Sequence, residues 1–315
     1  MIDYPIPRLR LTLTALCVIP PLLATACGDS EGETTEEETT EIVPTEVVPS
    51  EDQTAGYSLS SCTTTIADDV PDFFKTYFRC VEIEMNGDSV VIRSQGLPPY
   101  PSFYYAEDHV NYTPYTAATT ESYQNPGVIG EQNLEFEIPL NPTPKGLTVS
   151  ASLVDGIVRS SSEEYSMGPV GVALNSVAMF NPLAGPGDDI LDELHSFDSY
   201  SGHPAGSTYH YHTSSQGPLE VLSAAGLVTT SVVGEAEIEV YGILCDGTLV
   251  LGCTELNGDA PDSSNLDAQN GHVHDLADGG GTVHFTDRYH THICGDNPFT
   301  GHLFTPEVQY YEGCN

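Results

Sequence analysis

The apolar positions of this chain repeat mostly with a period of two, the signature of strands with one buried face. Val81, Ile83 and Met85 alternate with polar residues up to Asn86-Gly87, and Val91 follows, which predicts a hairpin turning at Asn-Gly. Leu134, Phe136, Ile138 and Leu140 alternate likewise and stop before Pro142. Apolar runs at 170–174, 236–244 and 249–251 predict further strands. Helical periodicity is confined to two stretches. Ile190, Leu191, Leu194 and Phe197 share one face behind the acidic start Asp188-Asp189, and 70–78 predicts a short turn of helix. The expected fold is all-β, a β-sandwich or barrel-like domain with long loops and few short helices. No composition shift divides residues 54–315, so they are read as one domain.

The N-terminus has a different pattern. Arg8 and Arg10 precede a short apolar run and the small residues Ala24-Thr25-Ala26, so 1–26 reads as an export signal. Cys27 follows directly, and this junction resembles the lipobox of bacterial lipoproteins, in which that thiol is acylated; a simple secretory cut would fall at the same bond. The implied partner is a membrane, reached through a lipid on Cys27. Within 27–53, ten acids and no bases leave too little apolar surface to offset chain entropy, so this segment is read as a disordered tether.

Charge narrows the function classes. With 46 Asp and Glu against 8 Lys and Arg, the formal net charge is −38, which excludes nucleic acid as a partner because phosphate binding needs many cations. Cys17 leaves with the signal, and lipidation of Cys27 accounts for the odd thiol. Six cysteines then remain for disulfides in an oxidising compartment. Proximity along the chain suggests Cys62 with Cys80, Cys245 with Cys253, and Cys294 with Cys314.

The candidate chemistry lies in the histidines. Ten of the 11 fall between His195 and His302. Tyr209-His210-Tyr211-His212 and Tyr289-His290-Thr291-His292 are two Tyr-His-x-His runs, preceded by Gly202-His203 and by Gly271-His272-Val273-His274. Residues i and i+2 of a strand share a face, so each run presents two imidazoles together and turns Tyr209 and Tyr211 the other way. The expectation is that the two strands lie side by side, that His210, His212, His290 and His292 converge on one ion, and that His203 and His272 complete or flank the site from loops. Neutral imidazole suits Zn, Cu, Fe or Ni, and Cu or Zn is the leading choice. Asp198, Asp246 and Asp267 are candidate carboxylate partners, with Tyr209 and Tyr289 beside them. His109 and His195 have no such context and read as surface residues.

Gly202-His203-Pro204 through Tyr209-His210-Tyr211-His212 resembles the hallmark of the YHYH-domain family, exported proteins of mostly unassigned role. The segments 170–175, 180–181, 246–247, 266–267, 270–272 and 313–314 resemble the family's flanking elements, and 91–98 resembles its opening strand and turn. The resemblance covers most of 80–315 and implies an exported domain with a histidine site. It implies no particular reaction.

Three functional readings follow: a cell-surface lipoprotein that binds Cu or Zn; a hydrolytic or copper-redox metalloenzyme on the same site, with Asp246, Asp267 or Asp275 as base; and a structural or Ca²⁺-stabilised binding module with architectural histidines. In the last, Asp188, Asp189 and Asp192 form one acidic loop and Asp259, Asp262 and Asp267 another. No nucleotide loop is present.

Overall fold

The computed structural model describes residues 56–155, 163–185, 190–294 and 308–314. The signal, the acidic tether, Cys27, Asp188 and Asp189 lie outside the described residues. Strands build two sheets. The smaller contains β1 (Thr65–Ile66), β2 (Glu82–Asn86), β3 (Ser89–Ser94) and β4 (Leu134–Pro139), in that order. Asn86 pairs with Ser89, so Gly87-Asp88 is the two-residue loop, and Gly87 takes the φ of +60° that a type II′ turn requires at its first position. In β4, Phe136 and Ile138 are buried while Glu135 and Glu137 are exposed, as the alternation requires. The sequence pattern also finds α1 (Asp72–Tyr77). The helix expected after Asp189 is only α3 (Ile190–Glu193) followed by a 3₁₀ turn at Leu194–Ser196. Two helices have no counterpart in the sequence reading: α2 (Ala151–Asp155) and α4 (Gln216–Ala224), the latter N-capped by Ser215, whose hydroxyl accepts from the Gly217 N–H.

The larger sheet has eight strands: β5 (Pro169–Ala173), β6 (Ala178–Phe180), β7 (Gly202–Ala205), β8 (Thr208–Tyr211), β9 (Val240–Leu244), β10 (Leu249–Leu251), β11 (Gly271–Ala277) and β12 (Val283–His292). Their spatial order is β11-β12-β10-β9-β5-β6-β8-β7. This order reads the same from both edges if β5 is matched with β9, β6 with β10, β7 with β11 and β8 with β12. The directions match too. β5–β6 and β9–β10 are antiparallel, β6–β8 and β10–β12 are parallel, β7–β8 and β11–β12 are antiparallel, and β5 meets β9 antiparallel at the centre. The sheet is therefore two copies of one four-strand unit arranged about a central pseudo-twofold. Buried side chains of both sheets, including Ile83, Ile92 and Ile138 with Val172, Tyr241 and Ile243, form one continuous core.

Three disulfides lie among the described residues: Cys62–Cys80, Cys245–Cys314 and Cys253–Cys294. Chain proximity identifies the first and mispairs the other two. Cys245 and Cys253 flank opposite ends of β10, whereas Leu251 lies beside His292 in the parallel β10–β12 pair, so two residues further on Cys253 reaches Cys294 with a Cα separation of 4.5 Å. Disulfides fit an oxidising compartment outside the cytoplasm. No helix among the described residues is long and apolar enough to cross a membrane.

Candidate metal centres

The two Tyr-His-x-His strands are not neighbours. β8 and β12 lie in opposite halves of the sheet with β6, β5, β9 and β10 between them, so the single four-imidazole site expected from the sequence does not form. Each run instead converges with its own upstream Gly-His. His203 faces His210 across β7–β8, and His272 faces His290 across β11–β12. His203 and His272 thus come from strands, not loops, and there are two centres.

In the first centre His203, His210 and His212 are all buried, and each places a ring nitrogen within 4.8 Å of the others. His210 Nδ1 lies 3.0 Å from the Thr208 carbonyl and His212 Nδ1 2.6 Å from the Asn181 carbonyl. A carbonyl only accepts, so both rings carry their hydrogen on Nδ1. His203 Nδ1 lies 2.6 Å from Ser196 Oγ, and that hydroxyl donates to the Glu193 carbonyl, so it accepts from the imidazole. The three Nε2 lone pairs are left facing inward, and those of His210 and His212 are 2.9 Å apart. Two neutral acceptors cannot hydrogen-bond to each other at that distance; a cation between them resolves the conflict. Ligands bound at 2.0–2.1 Å in octahedral or tetrahedral geometry are about 2.9 to 3.3 Å apart, which matches this spacing. Burial, reinforced by the neighbouring imidazole His212, lowers His203 to about 3. Burial also lowers His212 to about 4 and takes His210 well below its ordinary value. The rings are therefore neutral, ligand-ready imidazoles at pH 7.

The second centre repeats this arrangement. His290 Nδ1 donates to the Arg288 carbonyl at 3.0 Å and His292 Nδ1 to the Gly252 carbonyl at 2.9 Å, the symmetry counterparts of Thr208 and Asn181. His272 Nε2 and His292 Nε2 are 3.2 Å apart. Glu255 enters the ring of nitrogens: its Oε1 is 3.0 Å from His272 Nε2, 3.3 Å from His274 Nε2 and 3.4 Å from His292 Nε2, and its Oε2 is 3.2 Å from His290 Nε2. Burial opposes the charge on Glu255, but hydrogen bonds and attraction from His290 and His292 outweigh it and hold the carboxyl well below the usual range. Burial first, then the neighbouring imidazoles, lowers His272 to about 4, and burial lowers His290. Both groups, His203/His210/His212 and Glu255/His272/His274/His290 with His292 adjoining, are arranged so that they can hold a metal ion.

The carboxylates named from sequence serve another purpose. Asp198 accepts from the Tyr209 hydroxyl at 2.8 Å and from Ser102 Oγ at 2.6 Å, and Asp267 accepts from the Tyr289 hydroxyl at 2.7 Å, on the strand face opposite the imidazoles. Each also accepts from a glycine N–H, Gly202 at 3.3 Å and Gly271 at 2.9 Å, so the Asp-Tyr pair fastens the Gly-His strand to the Tyr-His-x-His strand. Burial raises Asp198 to about 6 against the pull of its hydrogen bonds from Ser102 and Tyr209. Asp246 accepts from Tyr165 at 2.9 Å and from the Tyr311 N–H at 3.0 Å, tying the C-terminal segment to the sheet. So placed, these aspartates bond to Tyr209, Tyr289 and Tyr165 rather than standing beside the imidazoles. Asp275 is exposed and accepts from the Asp287 N–H at 3.0 Å.

The acids that approach the imidazoles are Glu255 and Glu193; Oε2 of Glu193 is 3.8 Å from Nε2 of both His203 and His212. Both were missed, and so was His274. A usable signal existed: in each repeat an acid stands between the first hairpin and the Asp-x-x-x-Gly-His stretch, and His274 is two residues from His272. Asp259, Asp262 and Asp267 form no group of metal ligands among the described residues. Asp262 accepts from Ser264 and Asn265, and Asp259 from Asn257. His109 stacks on Tyr105 and His195 lies 3.7 Å from Glu121, outside both centres.

The centres differ in access. A cavity of about 760 Å³ opens onto the first, walled by Tyr123, Met167, Phe180 and Leu183. The second borders a cavity of about 390 Å³ beside Val273 and Tyr310. Comparison of the chain with protein-family models, curated proteins and solved structures finds no match.

Proposed function

We propose that this protein is an exported metal-binding protein that holds two transition-metal ions, Cu or Zn, one at each end of its large sheet. The observation that carries the reading is the inward-facing Nε2 pair of His210 and His212, 2.9 Å apart with both Nδ1 hydrogens committed to carbonyls, together with the second centre, where His290 and His292 also commit Nδ1 to carbonyls and the Nε2 atoms of His272 and His292 are 3.2 Å apart. A hydrogen-bonded histidine core would use those nitrogens as donors to acceptors; in the first centre they are acceptors facing acceptors. Metal-ligating histidines characteristically give their other ring N–H to a carbonyl or carboxylate. The signal-like N-terminus with Cys27 supports a lipid-anchored form at the cell surface, and the Gly-His and Tyr-His-x-His stretches support membership of the YHYH-domain family.

The test is metal analysis of the chain purified at neutral pH without chelators. Two ions per chain are expected, falling to one in His210→Ala/His212→Ala and to one in His290→Ala/His292→Ala. A wild-type chain that stays metal-free when offered Cu²⁺ and Zn²⁺ overturns the reading. A second reading, a metalloenzyme, is favoured by the cavity over the first centre, since catalytic ions keep a position open to substrate.

A further inference from the structure

The two centres are related by the sheet's pseudo-symmetry, so each position in one has a counterpart in the other. The register sets the match: His203 and His272 oppose His210 and His290, Pro204 and Val273 oppose Tyr209 and Tyr289, and Ala205 and His274 oppose Thr208 and Arg288. Ala205 therefore stands where the second centre has His274. That histidine points its Nε2 to within 3.3 Å of Glu255 and belongs to the second ligand group. At the first centre the methyl group of Ala205 lines the large cavity instead.

From this difference we propose that the first centre keeps one coordination position open to the cavity, where it binds a small uncharged molecule with a single nitrogen or oxygen donor on an apolar body. The second centre is closed by His274 and Glu255. This rests on the metal reading above and goes further by naming what the first ion accepts. The first ligand group is three imidazoles, with Glu193 outside it at 3.8 Å from the Nε2 of His203 and His212, which leaves a four-coordinate ion one ligand short, whereas four imidazoles and a carboxylate within 3.4 Å of them do not. The volume of about 760 Å³ suits a small molecule, and Tyr123, Met167, Phe180 and Leu183 offer it apolar contact. Glu193 and Asp192 are the charged groups on the wall, with no Lys or Arg among the lining residues, so an anion entering meets like charge.

The experiment uses the full chain loaded with two equivalents of Co²⁺, whose visible spectrum reports coordination, titrated with neutral 4-phenylimidazole and separately with azide. One equivalent of 4-phenylimidazole per chain is expected to change the spectrum, and the change should persist in His290→Ala/His292→Ala. Azide is expected to bind at least tenfold more weakly. Ala205→His should keep cobalt uptake at two equivalents and weaken 4-phenylimidazole at least tenfold. It adds a ligand at a strand position that is exposed in the parent, so it keeps the test independent of core damage. The proposal is overturned if a cobalt-loaded first centre ignores the probe, if Ala205→His binds it as the wild type does, or if azide binds more tightly. A first centre that takes up no cobalt defeats the metal reading itself, an outcome the cobalt stoichiometry reads separately.

Discussion

Gly202 lies directly under the phenol of Tyr209, and a Cβ built on it would overlap the Tyr209 hydroxyl and ring; Gly271 has the same relation to Tyr289. The glycine of each Gly-His stretch is thus required by the tyrosine of its partner Tyr-His-x-His strand. With no side chain at that point the phenol reaches the aspartate four residues upstream, and the two strands close with their histidines opposed.

Gly202→Ala should therefore act locally. Either Tyr209 or the β7 backbone must shift, at a cost of about 1 to 3 kcal/mol for an overpacked site. Metal content should fall by one ion, from the first centre only, and Gly271→Ala should do the same to the second. Thermal melts together with metal analysis of the two variants check this, and a Gly202→Ala chain that keeps both ions at wild-type stability would contradict it.

Acid should destabilise the metal-stripped protein. His203 at about 3 and His212 at about 4 lie below the ordinary 6.5, so as pH falls below 6.5 the unfolded chain takes up protons that the folded chain refuses. Stability from these rings is fully present above 6.5 and is lost progressively towards pH 4, a loss on the order of 3 kcal/mol per ring by linkage. Asp198, raised to about 6, works in the opposite direction, as do Asp246 and Glu239, which burial also raises, but the lowered imidazoles, His203, His210, His212, His272 and His290, outnumber them. Melting midpoints of stripped and loaded protein from pH 7.5 to 4.5 should both fall. The loaded form should fall more steeply once protons displace the ion.

Glu255→Gln keeps the shape and hydrogen-bonding reach of the side chain but removes the charge within 3.0 to 3.4 Å of four imidazoles. Metal affinity of the second centre should drop roughly 10- to 100-fold, with the first unchanged. Competition with a calibrated chelator on each single-centre variant measures this directly.

The Cys253–Cys294 bridge holds the two chain segments that position His292: Gly252 supplies its carbonyl and Cys294 follows two residues later. Replacing both cysteines by serine should lower stability by ~2 to 4 kcal/mol and loosen the second ion preferentially. The same exchange at Cys245 and Cys314 should lower stability but spare both ions, which separates a positioning effect from a general one.

Much of the local structure was legible in the chain. Alternation located β2 and β4, because a strand with one wet face must alternate, continuous apolar runs located β5, β9 and β10, which are buried on both faces, and the repeated Gly-His and Tyr-His-x-His stretches identified six of the imidazoles. Short strands such as β6 and helices as brief as α2 leave too few positions for a period to show. Glu193, at the end of the four-residue α3, and Glu255, in a loop, went unseen because segments this short show no periodicity to mark an acid, and 46 acids obscure any one of them.

By itself the sequence determined that each histidine pair would share a face, since side-chain direction along a strand depends only on i and i+2 spacing. Whether the two pairs would meet was decided by the order of strands across the sheet, and so was the pairing of Cys253 with Cys294. Both follow from hydrogen bonding between segments far apart in the chain, which placed β5 and β9 at the centre and sent the two histidine hairpins to opposite edges. Local spacing sets what a segment can present; long-range pairing sets what it faces, and here that produced two separate centres.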